Sequence, residues 1–396
     1  MAIQFPKIYL AVDNCFAAKR WTRPADWLQL VKDWGVNFVE ASADNECDPL
    51  YTPSKYLQQW LETVAEEADR RSMKIANFYS GHGTYSTIGL GHYDSGVRNH
   101  IRDNWLKTMI DSAAKLDTGF GFFCHAFDQS ILNSQEEYQK AYFNLITDLQ
   151  NLAFYAFENG LKSIGLEQMY TPHQIPWTID GARQLLQEVS SEVAPFFITL
   201  DVGHQSGQHK FQWPEKHYLL ELVNKVRAGA DIAKAWLGSA KAYDKLHGGI
   251  EENLADEEIM QLLMNDIILY PHLFAQAKDT DTYAWLEALG CYSPIVHLQQ
   301  TDGKTSAHWP FTEENNQKGI VEPEKVLQTL YQSYLQNEGS DLPQCQEIFL
   351  TLEIFAKTAD IPMDILRNME QSVAYWRKFI PEDGVALDKL TLQIKD

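Results

Sequence analysis

Four short apolar runs each close on, or carry, a group that is costly to bury: GLEQ with Glu167, TLDVGH with Asp201, HLQQ with His297 and TLEI with Glu353. Such groups are tolerated in a core when they are paired or bind a cation. Three carboxylates and an imidazole that converge make a mixed oxygen and nitrogen ligand set for one divalent ion. That set suits Mn2+, Mg2+ or Co2+ better than a closed structural Zn2+ site, which favours thiolates. Glu167, Asp201, His297 and Glu353 are therefore the candidate metal ligands. His204 follows Asp201 by three residues and is expected to face the same cavity and donate to a substrate oxygen. A single acid at a strand end is more often a helix cap or a solvated loop residue. Four such residues on four consecutive runs are not accounted for in that way. His82 and His125 also close apolar runs and are candidates to line the pocket.

The elements that must position these residues are visible as eight runs of strand-like composition, at 8–14, 37–43, 74–81, 119–127, 163–170, 196–204, 294–303 and 347–355. Several are almost continuously hydrophobic, as strands buried on both faces are. Period-two geometry turns Gly165, Thr199, Ile295 and Thr351 the same way as the four candidate ligands, and these are small or moderate residues. Helical patterns alternate with the runs, among them PADWLQLVKDWG, SKYLQQWLETVAEEADRRS and PEKVLQTLYQSYL. This alternation predicts parallel βα units, and eight of them predict a closed (β/α)8 TIM barrel, a single domain over 1–396. In such a barrel the chemistry sits at the C-terminal ends of the strands. An open doubly wound sheet is disfavoured, because no G-x-G-x-x-G follows the first strand. About 90 residues separate runs six and seven, far more than a βα connection needs. Residues 205–280 are read as a helical insertion, a lid or an oligomer contact, with DIAKAWLGSAKAYDKLHGG and EEIMQLLMNDIILYPHLF as its helices.

Bulk properties exclude several function classes. The 396 residues are 45% hydrophobic and carry a formal charge of −21, with 54 acids against 33 Lys plus Arg. A surface so acidic repels phosphate backbones, and no basic patch offsets it, so no nucleic-acid partner is expected. No stretch approaches the ~20 apolar residues of a spanning helix, so no membrane partner is expected either. Five cysteines without C-x-x-C spacing read as reduced structural thiols, and the N-terminus lacks the features of a signal peptide. A cytoplasmic protein is expected, and its apolar helices and insertion predict a homo-oligomer.

The order Glu167, Asp201-x-x-His204, His297, Glu353 resembles that of the xylose isomerase-like TIM barrels, a superfamily of sugar isomerases, sugar-phosphate epimerases and family 2 AP endonucleases. The resemblance covers nearly the whole chain outside 205–280. It implies a metal of the Mn2+ type, with Mg2+, Co2+ or Zn2+ as substitutes, held by Glu167, Asp201, His297 and Glu353. It also implies that the two glutamates act as the catalytic acid and base and that His204 binds substrate. The substrate implied is a sugar or sugar phosphate. Ketose epimerases of this pattern carry an arginine soon after the strand-seven histidine. Here the segment reads HLQQTDGKTSAHWPF, and Asp302, Lys304 and His308 are the candidates for those substrate contacts. The nuclease branch is the alternative. His82 and His125 match in order its extra zinc ligands, but its Asp-x-His pair is replaced by Ser306-Ala-His308. A non-catalytic sugar-binding barrel is the third possibility. The expected reaction is proton transfer next to a carbonyl through an enediolate, giving epimerisation when the proton returns to the opposite face and isomerisation when it goes to the neighbouring carbon.

Overall fold

The computed structural model of the chain describes residues 3–81, 88–232 and 234–393. Each of the eight apolar runs forms a strand: β1 (Lys7–Asp13), β2 (Phe38–Ser42), β3 (Lys74–Tyr79), β4 (Gly119–Phe122), β5 (Ile164–Glu167), β6 (Phe197–Asp201), β7 (Ile295–Leu298) and β8 (Glu347–Leu352). Neighbours in sequence pair in parallel, and β8 pairs back onto β1, so the sheet closes into a barrel. Parallel pairing demands a crossover between successive strands. Helices supply it: α1 (Pro24–Asp33) and α2 (Ser54–Arg71), then α3 (Ser95–His100) and α4 (Lys107–Lys115) joined through a π-turn at Ile101–Leu106. After β4 come the short α5 (Gln129–Leu132) and the long α6 (Gln135–Glu158), and after β5 comes α7 (Ile179–Val189). The chain is thus a (β/α)8 TIM barrel, as its alternation of runs predicts.

Helix boundaries follow local chemistry. Pro24 opens α1, where its missing N–H costs nothing, and Lys32 lies in the last turn. Ser134 caps α6 by accepting from Glu137 N, and Thr178 caps α7 by accepting from Gly181 N. The inner helix faces and the strands share one core, in which Trp27, Trp105, Trp285 and Trp376 are almost wholly buried.

Between β6 and β7 the chain makes α8 (Lys216–Arg227), α9 (Ala240–Glu251) and α10 (Asp256–Ile267) before the barrel helix α11 (Thr282–Leu289). These three helices pack on one another through Leu219, Val223, Leu246, Ile259 and Leu263, all buried. The sequence reading did not single out α8. It also began the next helix too early, since the segment before Ser239 is non-helical and turns at Gly238, where φ is +77°. The insertion docks on the barrel rim. Asp279 accepts from Ile179 N at 2.8 Å, and His272 lies 3.0 Å from Leu132 O and stacks on Tyr138. The chain finishes with α12 (Glu313–Lys318), α13 (Pro323–Gln336), α14 (Pro362–Trp376), a short β9 (Val385–Ala386) antiparallel to β1, and α15 (Leu387–Gln393). Among the described residues no helix is long and apolar enough to cross a membrane.

Candidate metal centre

Glu167 ends β5, Asp201 ends β6, His297 lies in β7 and Glu353 immediately follows β8. Strand register brings them to one height: Asp201 pairs with His297, and His297 pairs with Thr351, two residues before Glu353. All four side chains are buried, and one ligand atom from each lies within 4.8 Å of the other three. His297 Nδ1 stands 3.0 Å from Glu167 Oε1 and 3.4 Å from Glu353 Oε2.

His297, Glu167 and Asp201 are held from behind. His297 Nε2 lies 2.8 Å from Glu40 Oε2, and Glu40 Oε1 accepts from Asn77 Nδ2 at 2.6 Å. A bulge between Val39 and Glu40 sets this geometry, because it moves Glu40 into register with Asn77. Glu167 Oε2 accepts from the Tyr79 hydroxyl, in a short bond that crosses β4. Gly121 leaves that path open, since a Cβ there would sit 2.9 Å from the Tyr79 ring. Asp201 accepts from Gly203 N at 2.6 Å, from His204 N at 3.1 Å and from Gln299 Nε2 at 2.8 Å. A Cβ at Gly203 would collide with the Gln299 amide, so glycine is needed for Gln299 to reach Asp201.

The electrostatics follow from burial and crowding. Burial, with the neighbouring Glu167 and Asp201 carboxylates, pushes Glu353 well above the usual carboxylate range. Burial would raise Glu167 too, but His297 and His204 overcome it and hold it below that range. Burial opposes charge on His297, yet Glu353, Glu40 and Glu167 raise it well above the ordinary imidazole value. Asp201 is held at about 2, where His204 and His308 outweigh its burial. A buried set of carboxylate oxygens around one imidazole nitrogen calls for a positive countercharge. Its donors are those of a hard divalent cation. The Glu40 carboxylate behind His297 would fix the tautomer and orientation of a ligating imidazole. The residues present therefore fit such an ion.

Two further histidines border the cluster. His204 Nδ1 lies 2.7 Å from Gln168 O, and its Nε2 lies 3.9 Å from Asp201 Oδ1. His308 has φ +45°; its Nδ1 lies 3.2 Å from Glu353 O and its Nε2 3.1 Å from Ser306 Oγ. Asp201, His204 and His308 also bring ligand atoms within 4.8 Å of one another. Asp302 and Lys304 stand farther out, on a turn where Asp302 Oδ1 accepts from Lys304 N at 3.0 Å, and Lys304 is exposed. β4 ends at Phe122, so His125 sits beyond the strand, buried against Phe123 and Trp105. That burial lowers it to about 4. His82 lies outside the described residues.

Sequence reasoning passed over Glu40 and Gln299, and Asp13, which brings a ligand atom within 4.8 Å of Glu40 and His297. The signal was present, since NFVEASA and IYLAVDN each put an acid inside an apolar run, just as the four selected runs do. Among the aromatics near the strand ends, Tyr79 touches the site and Tyr170 lies edge-on to His204. Phe16 packs in the core against Trp34, and Trp177 packs on Phe211. A cavity of 510 Å3 between α6, α7 and the insertion, and one of 650 Å3 at the opposite mouth of the barrel, are lined by none of the four clustered residues.

The family profile described as the xylose isomerase-like TIM barrel matches residues 28–258. A D-erythrulose 1-phosphate 3-epimerase of Brucella abortus (strain 2308) is 28% identical over 126 residues. That match spans 32% of this chain and 38% of the relative's length. Among solved structures, a candidate xylose isomerase from Rhodospirillum rubrum ATCC 11170 superposes with a TM-score of 0.64 at 18% identity, covering 94% of this chain and 99% of the other. A D-tagatose 3-epimerase-like protein superposes at 0.54 with 13% identity, covering 98% and 100%. An L-ribulose 3-epimerase also superposes at 0.54, with 11% identity, covering 98% and 97%. At these identities the likeness is one of fold.

Proposed function

The chain belongs to the xylose isomerase-like TIM-barrel family, and on that premise we propose that it is a divalent-metal-dependent epimerase or isomerase of a ketose or ketose phosphate. One observation carries the reading: two buried glutamates, from β5 and β8, converge on the same nitrogen of His297. The partial match to a sugar-phosphate epimerase supports the substrate class.

Glu167, Asp201, His297 and Glu353 would hold the ion, with Mn2+ the first candidate. When bound, the ion supplies polarisation of the substrate carbonyl and a countercharge for the oxyanion that develops there. The chain's own groups do the rest. One of the two glutamates removes the proton from the carbon next to the carbonyl, forming the enediolate. The Tyr79 hydroxyl holds Glu167 in one orientation while it exchanges the proton. For epimerisation the other glutamate returns a proton to the opposite face of the same carbon. For aldose–ketose isomerisation the proton goes to the neighbouring carbon instead. His204 contacts a substrate oxygen through Nε2, and His308 approaches from the β7 side. Asp302 and Lys304 are assigned to the far end of the substrate. His125 is assigned to the pocket wall. The insertion is assigned the role of a cover, because Gly207 packs closely on Tyr170, which in turn contacts His204.

The test is solvent exchange. Metal-loaded protein is incubated in D2O with a panel of ketoses and ketose phosphates, and NMR follows deuterium beside the carbonyl. Incorporation is expected, with loss of at least about a hundredfold in Glu167→Gln and Glu353→Gln at unchanged fold. Metal and sugar binding with no label would make the protein a binding barrel. Cleavage of abasic DNA with three bound zinc ions would make it a nuclease.

A further inference from the structure

α6 is the longest helix of the barrel, and its outer face is unusual. Phe143, Phe154 and Phe157 are 70%, 52% and 51% exposed. They fall on one stripe with Thr147 and Gln150, at alternating spacings of four and three residues, and every member of the stripe is exposed. The inner face of the same helix, with Leu145, Leu149, Leu152 and Ala156, is already buried in the core. The stripe from Phe143 to Phe157 is about 21 Å long. Three large apolar rings in one row on a soluble barrel mark an interaction surface.

The sequence of the stripe says what covers it. In an antiparallel pairing about a twofold axis at Gln150, Phe143 meets Phe157 of the partner subunit, and Phe154 meets Thr147 of the partner subunit. The same pairing brings Lys140 near Glu158 of the partner subunit, and both residues are exposed. Among the described residues of its own chain, Lys140 makes one long ion pair, 3.9 Å, to the exposed Glu137. A parallel pairing would oppose like charges at both ends. The face is therefore complementary to itself in one orientation, which is the requirement for an isologous contact. The spacing of a four–three stripe is also that of a helix pair packed at a shallow angle.

We propose that the outer face of α6 is a homodimer interface, closed by a second copy of this chain in antiparallel register about Gln150. The active site faces the barrel mouth, and none of its clustered residues lies on α6, so each protomer keeps a complete site. Because the proposal rests on the helix and not on the catalytic reading, failure of one does not entail failure of the other.

Analytical ultracentrifugation of the full chain over a range of concentrations gives the first readout, and a dimer is expected. Phe143→Glu is expected to weaken it by about thirtyfold or more, as loss of a buried aromatic anchor does. Lys140→Glu and Glu158→Lys should each weaken the dimer, and the double exchange should restore it. The second readout is covalent. All five native cysteines are buried, and Gln150→Cys places one thiol on the twofold axis. Under a glutathione redox buffer it is expected to form a disulfide-linked dimer, while Lys55→Cys on α2 should not. A monomer at every concentration, or a dimer that is indifferent to Phe143→Glu and does not crosslink through position 150, would overturn the proposal.

Discussion

At the scale of single residues, the groups behind the proposed ligands decide how those ligands are oriented. Glu40 touches the far nitrogen of His297 and is itself held by Asn77. Glu40→Gln keeps the volume but removes the carboxylate that orients the imidazole. Affinity for Mn2+ or Co2+, measured by calorimetry, is expected to fall about 10–100-fold, with a changed Co2+ absorption spectrum. Unchanged affinity and spectrum would remove Glu40 from the site. His125 supports a pH prediction. Burial holds it neutral down to about 4, whereas an unfolded histidine takes up its proton near 6.5. Its depressed value gives stability that is present above pH 6.5 and is lost as pH falls towards 4. The loss should be roughly 3 kcal/mol in denaturant unfolding, and His125→Phe should flatten the profile in that window. The four clustered residues were legible because each places a group that is costly to bury in, or at the end of, an apolar run. Glu40 and Asp13 break their runs in the same way, but no single run shows that ring closure brings β1, with β2 beside it, against β8. His125 was a candidate pocket liner by position alone, and the end of β4 at Phe122 could not be read from a run that stays apolar to Phe127.

At the scale of elements, strands position the site and glycines let the supports through. Gly203→Ala would drive a Cβ into Gln299, which holds Asp201. We expect a loss of about 1–3 kcal/mol in stability, together with weaker metal binding. Gly160→Ala is an informative control for the metal effect, since no atom lies within 4 Å of a Cβ there although φ is +70°. It should cost stability by backbone strain and leave metal affinity unchanged. The eight strands were legible because parallel strands buried on both faces need continuous apolar runs. The bulge at Glu40 was not, because register depends on partners that a single run does not reveal. In the insertion, α8 escaped notice because its apolar positions are flanked by charges, and the segment before Ser239 looked helical by composition until Gly238 turned the chain.

At the scale of the whole molecule, closure of the sheet is what turns distant residues into one site. Glu167 and Glu353 are far apart in sequence, and the β8–β1 pairing completes the ring that brings them together. An ion that binds this assembled centre and not the unfolded chain must stabilise the fold. At a hundred times its Kd, Mn2+ should add about 2.7 kcal/mol, seen as a rise in Tm that Asp201→Asn abolishes. Anomalous diffraction from crystals of the chain soaked in Mn2+ would locate the ion itself. The account predicts one strong peak at about 2.2 Å from a carboxylate oxygen of Glu167, of Asp201 and of Glu353, and from a ring nitrogen of His297. A fully occupied crystal with no peak there, or with its peak on other residues, would contradict it.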